Sequence, residues 1–251
     1  MAGSLFDFAF FPNWDGCISF LSRCAQKENW NYRHFESKAN NPVLRNYLTY
    51  TFKRIQEQDK LRQTGAFACF NTGLVSENYE EIFALFQENK MEGRQPYFFK
   101  AFLKESERPM LQFGQLPDLA SYVSDPKDLV YDFNMEIRLD LDHIINENRD
   151  RFPVRYQSQE DNYDLRIALD GAKQHAIRRA KRNYRTAVPQ FYRGRIQLLL
   201  PICMGSRNSA VLALAIQRQE DVYLASTCLT LDMAYNNARL LTQPNSDWLE
   251  P

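Results

Sequence analysis

The hydrophobic pattern changes period several times along this chain. Over 43–60, Leu44, Tyr47, Leu48, Thr51, Phe52 and Ile55 recur three and four apart, which predicts an amphipathic helix after the Asn41-Pro42 turn. Residues 66–74, AFACFNTGL, read as a strand running into a Thr-Gly turn. Ser76 or Asn78 is then expected to cap a helix over 79–89, before a Phe-rich strand at 96–104. From Met135 the pattern alternates: Ile137, Leu139 and Leu141 on one side, Glu136, Arg138, Asp140 and Asp142 on the other, as in a half-buried strand. A polar loop over 146–162 precedes a long helix starting near Asp164. Three strands are expected at about 194–203, 210–217 and 221–228, and a last helix over 230–241.

Single strands followed by a late hairpin predict an α+β fold with a mostly antiparallel sheet, packed helices and a helical N-terminal segment. The expected division is a helical segment, 1–65, packed on an α+β main domain, 66–251.

Composition narrows the class. With 251 residues, 44% hydrophobic and 25% charged, the chain can bury a substantial core. Five scattered Cys form no CxxC and no Cys/His set at zinc spacing, which suggests a reducing compartment, the cytoplasm. No segment reaches transmembrane length, so no membrane partner is expected. Walker, GxGxxG, GxSxG and HExxH patterns are absent.

Charge changes the picture locally. The chain balances 31 basic against 31 acidic residues, yet residues 165–195 hold nine Lys/Arg and one acid, Asp170. On a helical wheel Leu165, Leu169, Ala172, Ala176 and Ala180 form a narrow apolar stripe. Gly171, His175, Arg178 and Arg182 form a second stripe, with Arg185 at its edge. Arg suits phosphate because its planar fork gives paired, charge-assisted bonds. Lys173, His175, Arg178, Arg182, Arg185 and Arg195 are therefore the candidate phosphate or nucleic-acid set. Tyr184, Phe191 and Tyr192 interleave with the cations, as in single-strand binders. A solvated charged face and core-filling rings fit the same residues.

Asp140 and Asp142 on one strand face, with His143 next to them, are candidates for acid/base catalysis or for one divalent metal such as magnesium. An exposed polar strand face is the alternative. In the last helix Asp232, Tyr235, Asn236 and Arg239 share a face and are candidates for base or ribose contacts; a surface helix is the alternative. Asn71-Thr72-Gly73 reads as a turn able to cradle an anion, or as an ordinary strand end.

The stretches CFNTGLVSENYEEIFALF, LVYDFNMEIRLDLDHIINENRDRFP, RNYRTAVPQFYRGRIQLLLP and TLDMAYNNARLL resemble a domain-of-unknown-function family over about residues 66–250. Some members of that family accompany OST-HTH (LOTUS) and cold-shock RNA-binding modules. The resemblance implies an association with RNA and carries no catalytic residue. Together these features predict an RNA- or nucleotide-acting protein, with phosphoester hydrolysis as its possible chemistry. A non-catalytic RNA-binding or assembly protein and a small-nucleotide enzyme or sensor are the alternatives. A homo-oligomer is compatible with the sequence.

Overall fold

The computed structural model describes residues 3–31, 40–157, 162–206, 208–244 and 247–249. The chain forms two compact units, divided between Ser121 and Tyr122. Each contains a five-stranded sheet, and the fold is α+β.

The first unit contains α1 (Leu5–Phe8), β1 (Ala9–Phe10), α2 (Trp14–Cys24) and α3 (Pro42–Glu57). These are followed by β2 (Arg62–Thr64), β3 (Phe67–Val75), β4 (Glu81–Glu88) and β5 (Tyr97–Lys104). Its sheet order is β1-β5-β4-β3-β2, antiparallel except for the short parallel edge β1–β5. The helix expected over 43–60 is α3, and it buries Leu44, Tyr47, Leu48, Thr51, Phe52 and Ile55 as its spacing requires.

The segment expected as a helix over 79–89 is instead the strand β4. Both faces of that strand are covered, so Ile82–Phe86 are all buried. Phe86 meets Phe8 and Phe70 on one side, while Phe83 and Leu85 pack with Met110 and Phe113 on the other. A strand buried on both faces loses its period of two and cannot be told from a buried helix by periodicity.

Asn71-Thr72-Gly73 is not a strand-ending turn either. It lies inside β3 as a bulge, where the register with β4 shifts between Asn71 and Leu74. Its polar groups are satisfied within the fold: Thr72 Oγ1 donates to Ile82 O at 2.6 Å, and Gly73 N donates to Asn71 Oδ1 at 2.9 Å.

The second unit contains β6 (Glu136–Leu139), α4 (Val154–Gln157), α5 (Tyr163–Arg182) and β7 (Val188–Tyr192). Then come β8 (Arg195–Ile202), β9 (Leu212–Gln219), β10 (Val222–Leu229) and α6 (Leu231–Ala238). The order is β6-β10-β9-β8-β7, antiparallel except for the parallel edge β6–β10. The turn between β7 and β8 is two residues, Arg193-Gly194, both at positive φ, which suits the twist of a tight hairpin. The C-terminal tail is docked: Trp248 and Leu249 are buried, and Trp248 Nε1 donates to Thr186 O at 2.9 Å.

This sheet has two unlike faces. Leu198, Leu200, Ile202, Leu212, Leu214 and Ile216 form one apolar cluster with the buried stripe of α5. Side chains alternate along a strand, so Gln197, Leu199 and the β7 partner Gln190 point to the opposite face. Asn237 of α6 donates to Gln190 Oε1 at 3.1 Å, which puts α6 over that second face. Helices α5 and α6 therefore lie on opposite sides of the sheet.

Candidate nucleic-acid interface

Helix α5 buries Leu165, Leu169, Ala172, Ala176 and Ala180, the stripe expected from its sequence. Its last turn carries Arg179, Lys181 and Arg182, where cations are favoured by the helix dipole. Gly171, Arg178 and Arg182 are exposed and His175 is half-buried. Among the described residues Arg178 and Arg182 make no ion pair, and both guanidinium groups face water.

The other cations of this segment are engaged differently. Lys173 Nζ lies 2.9 Å from Asp170 Oδ1, so its charge is matched locally. Arg179 reaches Asp247 at 3.3 Å and anchors the tail. Lys181 Nζ sits over the Phe133 ring at 5.9 Å. Arg185 follows α5 in a short 3-10 turn and contacts Tyr184, whose hydroxyl raises the guanidinium pKa further. Arg195 opens β8 and shares the second sheet face with Tyr192, so it is not on the α5 side.

A cleft of about 260 Å³ opens beside the stripe, lined by Gly171, Ala172, His175, Cys203, Gly205 and Ser206. A Cβ placed on Gly171 would meet nothing within 4 Å, so packing gives no reason for this glycine. At Gly205 a Cβ would lie 3.3 Å from Arg155 Nη2, which brings a further guanidinium to the loop lining the cleft. Sequence reasoning missed Arg155, because the approach joins α4 to the β8–β9 loop and no spacing reveals it. Burial pushes the Cys203 thiol up, partly offset by Arg179, so the cleft holds a thiol and not a thiolate.

The acidic candidates lie elsewhere, and not on one strand face. Strand β6 ends at Leu139, because its partner β10 bulges just after Ala225 and the pairing stops. Asp140 then acts as a cap: its Oδ1 accepts from His143 N at 3.2 Å, and its carbonyl accepts from Ile144 N at 3.0 Å. Residues His143–Glu147 form a π-helical turn in which His143 Nδ1 lies 2.8 Å from Glu147 Oε2. Asp142 lines a different cleft, of about 340 Å³, with Leu141, Ile145, Asn146, Asn162, Tyr163 and Arg166. Arg166 and His175 are nine residues apart, about half a turn out of phase on α5. The two clefts thus flank opposite sides of that helix. Among the described residues no group of three or more His, Cys, Asp or Glu could hold a metal ion.

On α6, Tyr235 is buried with Ala234 and Ala238, so it packs in the core and does not form a ligand-facing wall. Asn236 Nδ2 donates to the carbonyl of Asp232 at 2.9 Å, and Asp232, Asn236 and Arg239 are half-buried. The structure therefore gathers Gly171, His175, Arg178 and Arg182, and separates them from Asp140, Asp142 and His143 and from α6.

Among the described residues no helix is long and apolar enough to cross a membrane. Comparison with curated proteins and with solved structures gives no match. Residues 21–248 match the DUF3825 family, described as a domain of unknown function, and the chain belongs to that family.

Proposed function

We propose that the second unit binds the phosphate backbone of RNA along the exposed stripe of α5. The observation that carries this reading is the pair Arg178 and Arg182, unpaired among the described residues and one helical turn apart, on the same face as Gly171. His175 and the adjoining cleft extend the same surface. Two free guanidinium groups attract a polyanion and leave its sequence unread.

The arrangement favours binding over cleavage. Asp140 caps a turn, His143 is held by Glu147, and Asp142 between them lines the cleft on the other flank of α5. No acid or base from that set adjoins a phosphate held at Arg178.

The test is a titration of single-stranded RNA at rising salt. Each lost phosphate contact flattens the slope of log K against log salt by about 0.7 on single strands, so Arg178→Ala with Arg182→Ala should reduce it by about 1.4. Unchanged affinity and slope, in a variant that melts like the parent, would sink the proposal.

A second reading has its own observation. The cleft of Asp142, Asn146, Tyr163 and Arg166 falls within the size range of small-ligand sites. A mononucleotide bound there would raise the melting temperature, and Arg166→Ala would abolish the rise.

A further inference from the structure

The second face of the β6–β10 sheet carries a row of side chains that crosses all five strands. Arg138 pairs with Leu224, and Leu224 pairs with Gln217. Gln197 bonds Gln217 and pairs with Gln190. The row spans roughly 19 Å at the usual strand spacing. One step nearer the β7–β8 turn lie Tyr192 and its partner Arg195. The opposite end of this face is closed by α6 over the buried Val188, Leu199 and Ala215.

Four amides in this region are joined head to tail. Asn237 Nδ2 donates to Gln190 Oε1 at 3.1 Å. Gln190 Nε2 donates to Gln197 Oε1 at 2.8 Å, and Gln197 Nε2 donates to Gln217 Oε1 at 3.3 Å. Every bond runs in the same direction, so the dipoles reinforce one another. The chain ends on Gln217 Nε2, for which the described residues supply no acceptor. Gln190 is buried at the inner end, which fixes the orientation of the whole series. The terminal donor is thus pre-set and free to meet a carbonyl or phosphoryl oxygen.

The surroundings of that donor are those of a base site. Leu224, the cross-strand partner of Gln217, is 40% exposed, and Tyr192, two strands away on the other side of Gln217, is 43% exposed. Arg193 lies over the Tyr192 ring at 5.2 Å, and neither it nor Arg195 has a carboxylate partner among the described residues. Arg138 is matched by Glu136, and the β9–β10 turn carries Glu220 and Asp221, so the basic part is the β7–β8 corner.

We infer that this corner reads one nucleotide of a single-stranded nucleic acid. The base stacks on Tyr192, its edge accepts from Gln217, and the phosphate is held by Arg193 and Arg195. Only a single strand exposes a base to such a surface. The site shares with the proposed function only its class of ligand; its residues are on the opposite side of the sheet from α5.

The experiment uses the full chain with single-stranded ribo- and deoxyribo-homopolymers, and with inorganic polyphosphate as a polyanion without bases. Tyr192→Ala, which leaves Arg193 and Arg195 in place, should lower homopolymer affinity roughly tenfold or more, the scale of one lost base–aromatic stack. Polyphosphate affinity should change far less, and Gln217→Leu should alter the ranking among homopolymers. Arg178→Ala with Arg182→Ala should instead weaken polyphosphate and homopolymers together. If that pair has no effect while Tyr192→Ala does, the α5 reading falls and this one stands. Equal losses on homopolymers and polyphosphate, no loss at all, or no homopolymer binding by the parent would overturn the assignment. So would loss of self-association in the Tyr192 variant, seen by light scattering, which would give the face to a second copy of the chain.

Discussion

The sheet of the first unit and the sheet of the second are both five-stranded and mostly antiparallel, yet they treat their faces differently. The first covers both: Phe70 and Phe86 pack with Phe52 and Phe8, while Cys69, Phe83 and Leu85 pack with Met110 and Phe113. The second buries one face under α5 and leaves half of the other as amides, arginines and Tyr192. Covering both faces commits nearly every side chain to packing. An open half-face leaves room for surface chemistry without a cost to the core.

The largest expected effect tests the packed side. Phe86 is fully buried and meets Phe8, Phe11, Phe70 and Phe99, so Phe86→Ala should cost about 3–5 kcal/mol in denaturant unfolding. Leu224→Ala on the open face should stay within about 0.5 kcal/mol. Similar losses at the two positions would break the contrast. The next effect is smaller. Gln190→Ala strands the amides of Asn237 and Gln197, and should cost about 1–3 kcal/mol. A loss no larger than that of Leu224→Ala would mean that the amide series is not structurally coupled.

The same contrast explains what the sequence reveals. The buried stripe of α5 is legible because one apolar stripe between polar flanks is a clean helical signal. Strand β4 is not, since burial on both faces erases alternation over Ile82–Phe86. The alternation from Met135 predicts β6 but runs past its end, because the bulge that stops the pairing is in β10. The residues of the glutamine row are spread from Arg138 to Leu224 in the sequence and meet only through register. The stripe of Gly171, His175, Arg178 and Arg182 is local, so its membership can be read directly. Its separation from Asp140, Asp142 and His143 is a property of the fold.

Two glycines sharpen the comparison at its smallest scale. Gly73, in β3 of the first unit, has φ +72°, and a Cβ there would lie 2.5 Å from Tyr47 Oη. Both facts demand glycine, and Gly73→Ala should destabilise by more than 1 kcal/mol or so. Gly171, in mid-helix of the second unit, shows neither demand: its φ is helical and its Cβ would point into open space. Intrinsic propensity alone then makes Gly171→Ala stabilising by about 1 kcal/mol, a rise of a few degrees in Tm. The glycine is useful only if something approaches the helix backbone beside His175 and Arg178. Gly171→Ala should therefore raise Tm and weaken RNA binding together. A higher Tm with unchanged RNA affinity would show that no ligand comes close at that turn, and would confine the contact to the tips of Arg178 and Arg182.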